Sequence, residues 1–285
     1  MNWKRGSVAG FAGTNLATID FGGQGGGILL IHGMMGRATT WSTTAGWLTE
    51  YGKVVGYDAR GHGLSDAPDG PYDRHAHIED AAAVIKAYGL APAVVIGHSM
   101  GALTAWQLAS KHPELVRSVV IGDMAAVVPD VQERWQTWLD EWPVPFDSIA
   151  GIRDYFGGDY FGKYRIGAHS EQIHPAEGDY FVEVFAERKD GYWPLANTRN
   201  VLACREHWNN RDHTPELSQI RCPTLVVAGE QSYFPAEGSR QMANVLPAGE
   251  FALIPDAGHV LHFDNPDAWR AAVEPFVSKI NGGQL

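Results

Sequence analysis

Short runs of almost unbroken hydrophobicity recur along the chain, separated by longer stretches of helical period. Gly27–His32 (GILLIH), Lys53–Asp58 (KVVGYD), Ala93–His98 (AVVIGH), Val116–Gly122 (VRSVVIG) and Thr224–Gly229 (TLVVAG) are rich in Val and Ile and show no regular polar face. That is the pattern of strands covered on both sides. Helix-like stretches such as Arg74–Tyr88 and Gly101–Lys111 lie between them. The alternation predicts an α/β fold: a doubly wound, mostly parallel sheet with helices on both faces. Phe251–Pro255 reads as the last strand and Pro266–Ile280 as the last helix, with Pro266 suited to a first helical turn. Ser7–Phe21 reads as a lead-in antiparallel hairpin.

The rhythm breaks between residues 125 and 219. No clean buried-strand run occurs there, but aromatic residues crowd in: Trp135, Trp138, Trp142, Phe146, Tyr155, Phe156, Tyr160, Phe161, Tyr164, Tyr180, Phe181, Phe185, Tyr192, Trp193 and Trp208. A structureless loop of that length inside a compact domain is improbable. The segment is therefore expected to be an inserted helical cap. Residues 1–124 and 220–285 would then form the core, and part of the aromatic set would pack the cap's own interior.

Composition narrows the function classes. At 285 residues with 45% hydrophobic residues, the chain can bury a full core without staples. The net charge of −11 argues against a nucleic-acid partner, which would require a basic stripe. No apolar run approaches the roughly 18 residues of a membrane span. The opening MNWKRGSVAG has basic residues but no apolar stretch behind them, and only Cys204 and Cys222 are present. A cytoplasmic protein without a disulfide framework is the expectation.

The chemistry centres on Gly97-His98-Ser99-Met100-Gly101, a G-x-S-x-G with a buried strand before it and an Ala/Leu-rich helix after it. In such a sharp turn, glycines relieve steric conflict and the serine side chain is held out as a nucleophile. Ser99 needs a base. Among the twelve histidines, His259 follows the last strand in a Gly-His turn and lies C-terminal to the serine, with His262 one helical turn further on. His75 and His77 have a metal-like spacing with no supporting cluster. The Gly22–Gly27 run precedes its strand, unlike a phosphate or dinucleotide loop. No metal or organic cofactor is implied, and a small-molecule substrate is expected.

Beside the elbow, three further segments carry a family likeness: Ile31-His32-Gly33-Met34-Met35-Gly36 after the third strand, Tyr57-Asp58-Ala59-Arg60-Gly61-His62-Gly63-Leu64-Ser65 after the fourth, and Pro255-Asp256-Ala257-Gly258-His259 after the last. With them the sequence resembles the α/β-hydrolase superfamily, in particular its capped esterase, lactonase and C–C-bond hydrolase branches. The resemblance implies an oxyanion hole built from the backbone N–H groups of Met34 and Met100. It also implies His32 and His98 as structural or pocket-lining residues, while the cap would contribute Trp138 and Trp193 to the pocket. The family's usual acid follows the seventh strand in a G-x-x-D segment; here that segment is Gly229-Glu230-Gln231-Ser232. Asp123, at the end of the sixth strand, is the expected substitute, as in some lipases and lactone hydrolases of the superfamily. Glu230 and Glu237 are the alternatives. The implied activity is hydrolysis of a small, largely apolar ester or lactone through an acyl-enzyme on Ser99. Hydrolysis of a C–C bond in a diketone and a ligand-binding receptor with little turnover remain open beside it.

Overall fold

The computed structural model describes residues 3–158 and 175–282. Its centre is an eight-stranded sheet. In chain order its strands are β1 (Lys4–Ala9), β2 (Asn15–Gly22), β3 (Gly27–Ile31), β4 (Lys53–Tyr57), β5 (Ala93–His98), β6 (Val116–Gly122), β7 (Thr224–Gly229) and β8 (Gly249–Ile254). The spatial order is β1-β2-β4-β3-β5-β6-β7-β8. The β1–β2 hairpin and the β2–β4 pair are antiparallel, and every other pair is parallel.

Strands β3, β5 and β7 are buried along their whole length, as their continuous hydrophobicity predicts. Their alternate side chains feed two separate cores. Leu29, Ile31, Val95 and Val226 pack against helices Arg74–Tyr88, Met100–Lys111 and Ala236–Val245. Ile28, Leu30, Val94 and Val227 pack on the other face, with Trp41, Trp47, Trp269 and Phe276 from helices and turns there. Helix ends follow local chemistry. Asp73 caps Arg74–Tyr88 by accepting from Ala76 N at 2.8 Å, and Gly89 ends it in the left-handed conformation. Pro266 opens the last helix, capped by Asn265.

The chain leaves β3 in one direction to form β4, then crosses to the other side of β3 to form β5. Loops after β3 and β5 therefore diverge, leaving a crevice at the carboxyl ends of the strands, the usual ligand position in open α/β sheets.

A helical insertion follows β6. It holds helices Gln132–Asp140, Ile149–Gly157, Ala176–Val182, Thr198–Arg205 and Thr214–Leu217. It also holds two small antiparallel pairs that the hydrophobic pattern does not reveal: Val127–Val128 with Arg211–Asp212, and Phe185–Arg188 with Gly191–Pro194. These strands have two to four residues, too short to carry a periodic signal. The insertion has its own core, in which Trp138, Trp142, Phe146, Phe156, Phe181 and Phe185 make edge-on and stacked ring contacts. Tyr160, Phe161 and Tyr164 lie outside the described residues. No helix among the described residues is long and apolar enough to cross a membrane.

Candidate active site

Ser99 stands between β5 and helix Met100–Lys111 with φ 53° and ψ −121°, a conformation that costs a non-glycine residue energy unless its surroundings enforce it. The neighbours do enforce it. A Cβ on Gly97 would stand 2.3 Å from Gly101 O, and one on Gly101 would stand 2.2 Å from Ile31 O. Only glycines let the helix start this close to two strands. The Ser99 N–H also donates to Gly122 O at 2.8 Å, tying the turn to the end of β6.

Met100 is the first helical residue, so its N–H has no intrahelical acceptor and sits at the positive end of the helix dipole. Met34 lies in the turn after β3, followed by Met35 at φ 67°. Neither Met34 N–H nor Met100 N–H is taken by another backbone group among the described residues. Both residues flank the crevice left where β3 and β5 diverge.

Asp123 follows β6 and is fully buried, with φ 45°. Its N–H donates to Val227 O at 2.8 Å, which fixes it against the neighbouring strand β7. Three donors converge on its carboxylate. Gly229 N–H reaches Oδ1 at 3.1 Å, Ser232 Oγ reaches Oδ2 at 2.5 Å, and His259 Nδ1 reaches Oδ2 at 2.7 Å. The imidazole is thereby held through Nδ1, leaving Nε2 as the nitrogen able to accept a proton. Ser99 Oγ has no hydrogen-bond partner among the described residues. Ser99 and His259 line the same cavity, of about 290 Å³.

The alternative carboxylates are engaged elsewhere. Glu230 is exposed and accepts from Asp256 N at 3.1 Å. Glu237 is exposed in the first turn of Ala236–Val245 and pairs with Arg240 at 3.9 Å.

The backbone around His259 is clamped on both sides. Asp264 Oδ2 accepts from Gly258 N at 2.9 Å and Val260 N at 3.1 Å, while His98 Nε2 donates to His259 O at 2.7 Å. Because the acceptor is a carbonyl, His98 must carry its proton on Nε2. Burial, followed by the neighbouring His259, pushes His98 well below the usual imidazole range, so it stays neutral. Burial together with nearby Glu177 raises the Asp264 carboxyl to about 8.

Of the four side chains expected in the pocket, His98 and Trp138 line the cavity and two do not. His32 is fully enclosed: its Nε2 accepts from Ala59 N at 2.9 Å and its Nδ1 reaches Gly33 O at 2.6 Å. Both nitrogens are thus occupied by backbone, and the ring ties the β3 turn to the β4 turn. Burial lowers its pKa to about 4. Trp193 is spent within its own hairpin, where Nε1 donates to Asp190 at 3.0 Å and Arg188 lies over the ring. His262 is buried and stacked on Trp41 at 4.2 Å, and His77 meets Cys204 in the core. The D-x-R-G turn is likewise structural: Asp58 accepts from Ala38 N and Leu64 N, and Arg60 is paired with buried Asp80.

The cavity wall also contains residues that nothing in the sequence marks. Tyr233 lies 4.4 Å from the His259 ring, centroid to centroid, while Met124, Phe234, Glu177 and Arg205 complete the enclosure. None lies in a motif: Met124, Tyr233 and Phe234 come from the loops after β6 and β7, while Glu177 and Arg205 reach the site through packing of the cap on the sheet.

A family model described as the alpha/beta hydrolase fold matches residues 28–266. Among curated proteins, the chain is 26% identical to the 2-(acetamidomethylene)succinate hydrolase of Mesorhizobium japonicum, over 90% of this chain and 89% of that one. It is also 26% identical to the 3-oxoadipate enol-lactonase 2 of Acinetobacter baylyi, over 80% and 79% of the two chains. Among solved structures, E-2-(acetamidomethylene)succinate hydrolase superposes with a TM-score of 0.79 at 24% identity, covering 97% of this chain and all of that one. The enol-lactonase from Burkholderia xenovorans gives 0.74 at 23%, covering 96% and 100%.

Proposed function

From the premise that the chain belongs to the α/β-hydrolase fold family and is a hydrolase, we propose that it cleaves a small ester or lactone through an acyl-enzyme on Ser99. The observation that carries this reading is the bond between Asp123 Oδ2 and His259 Nδ1 at 2.7 Å, beside a serine held on a strained strand-to-helix turn. With Nδ1 fixed as the donor, Nε2 takes the Ser99 proton as Oγ attacks the substrate carbonyl. The carbonyl oxygen becomes an oxyanion, which accepts hydrogen bonds from the N–H groups of Met34 and Met100. Collapse of the tetrahedral intermediate expels the alkoxide, which takes the proton from His259. A water molecule then attacks the acyl-enzyme by the same route in reverse and releases the acid. The negative charge on oxygen develops only during reaction, which is why fixed backbone donors assist the transition state more than the ground state.

The cavity lies near the lower end of the roughly 300–1,000 Å³ usual for ligand sites, and Met34, Met35, Met124, Trp138 and Phe181 make much of its wall apolar. Both features support a compact substrate with an apolar body. Residues 125–219 act in this reading as a lid over the crevice.

A fluorophosphonate probe tests the reading. It is expected to label one serine, identified as Ser99 by peptide mapping, and Ser99→Ala should abolish labelling and ester turnover. An adduct on another serine, or full activity in Ser99→Ala, would refute it. Turnover of a β-diketone with none of esters would reassign the same triad to C–C cleavage.

A further inference from the structure

We propose that Arg205 forms an anion subsite in the cavity beside Ser99, so that the substrate carries a carboxylate close to its scissile bond. This rests on the reading of that cavity as the substrate site, and it adds a charged group to a substrate otherwise described as apolar.

Arg205 ends the cap helix Thr198–Arg205, is only 5% exposed, and lines the same cavity as Ser99, His259 and Tyr233. Its guanidinium is largely unsatisfied. Nη2 donates to Asn209 Oδ1 at 3.0 Å, while Nε is buried without a partner. No carboxylate lies within ion-pair distance of it among the described residues. Glu177, the acidic residue on the described wall, sits by Gly258 instead, where a Cβ would stand 3.7 Å from its Oε1.

A buried cation without a counter-ion is expensive, and such groups are ordinarily paired. Burial lowers the Arg205 pKa only to about 10, so the charge persists at neutral pH. The surroundings preserve the cation rather than neutralise it. Its carbon centre lies 4.6 Å from the Trp135 ring and 5.6 Å from the Trp208 ring, two aromatic surfaces that attract a guanidinium through its faces. The N–H groups lie in the plane of the fork, the geometry that meets a planar carboxylate with two parallel hydrogen bonds. The arrangement is a pre-oriented receptor for a carboxylate. In a chain of net charge −11, long-range electrostatics repel an anionic substrate, so recognition has to be supplied locally by such a group.

The test uses monomethyl glutarate and dimethyl glutarate, which present the same ester and differ in one negative charge. In Ser99→Ala protein, calorimetry should show the monoacid binding at least tenfold more tightly than the diester. Adding Arg205→Met, which keeps an apolar stem against the two tryptophans, should erase that preference. Arg205→Lys, which keeps the charge without the fork, should retain part of it, and circular dichroism verifies the fold of each variant. In the Ser99 enzyme, pH-stat rates should give the monoacid the higher kcat/KM, with the ratio falling toward one in Arg205→Met. Equal binding of the two compounds, or a preference that survives Arg205→Met in folded protein, would overturn the subsite. If Ser99 is labelled and both esters are cleaved equally, the subsite falls while the hydrolase reading stands. If the monoacid binds preferentially through Arg205 but Ser99 neither labels nor turns over, the subsite stands and the hydrolase reading falls.

Discussion

Ser232 donates its hydroxyl to Asp123 Oδ2 at 2.5 Å, the same oxygen that receives His259 Nδ1 at 2.7 Å. The residue at the position where a carboxylate is usual after β7 thus supports a carboxylate supplied by β6. A third donor, Gly229 N–H, holds the other oxygen, so the carboxylate is oriented from both ends. Asp123→Asn, close in shape but offering a donor as readily as an acceptor, should lower kcat by about 10²–10⁴-fold. Ser232→Ala leaves two donors in place and should cost less than about tenfold, which is under about 1.4 kcal/mol of transition-state energy. Glu230→Gln and Glu237→Gln should fall within the same limit. Steady-state kinetics on all four variants decide it, and collapse in a Glu variant with an active Asp123→Asn would assign the acid elsewhere.

The glycine after the serine is held by packing. A Cβ at residue 101 would meet Ile31 O at 2.2 Å and His32 O at 2.5 Å, and both are backbone atoms that cannot swing aside. Gly101→Ala should destabilise by about 1–3 kcal/mol or more through overpacking, read as a shift in the denaturant midpoint. The same displacement moves Met100 N–H, so turnover should fall further than stability alone explains. Wild-type stability in Gly101→Ala would contradict this account.

Two cap aromatics separate lid function from cap stability. Phe156 is fully buried in the cap core and does not line the cavity, whereas Trp138 does both. Phe156→Ala should cost about 3–5 kcal/mol and leave the ranking of ester substrates unchanged. Trp138→Leu should reorder kcat/KM across acyl chain lengths. An unchanged ranking in Trp138→Leu would remove this residue from substrate selection.

Asp264 gives a pH signature. Burial and Glu177 raise its folded pKa to about 8 from an ordinary 3.8. A raised folded pKa means that its contribution to stability is fully present below about pH 4 and is lost as pH rises toward 8. Asp264→Asn is neutral throughout and retains an oxygen that can accept from Gly258 and Val260. The Tm of Asp264→Asn minus that of the wild type should therefore increase between pH 4 and pH 8 and level off above it. A difference independent of pH would show that the wild-type carboxyl titrates normally.

The residues that announce themselves in the sequence do so because their signals are local. Five strand runs with no regular polar face foretell a sheet covered on both sides, because two apolar faces leave alternate side chains no solvent to meet. The G-x-S-x-G turn is legible for a related reason: its glycines answer clashes with atoms a few residues away or on the adjoining strand. The last strand starts two residues before and ends one residue before its hydrophobic run, and the last helix runs one residue further, to Asn281, while its start at Pro266, capped by Asn265, is where the sequence puts it.

What the sequence leaves open is settled through space. Asp123 meets His259 across 136 positions of chain, and the parallel register of β6 on β7, with Gly122 opposite Val227, decides which carboxylate comes within reach. His32 and Trp193 look like pocket residues by position, yet their polar atoms are consumed by Ala59, Gly33 and Asp190. Arg205 carries no motif at all, and it becomes a buried cation beside the site only when the cap packs over the sheet. Hydrophobic period records how much each residue is buried, but not against what. The partner is chosen by strand register and by the docking of one layer on another, and both depend on contacts distant in sequence.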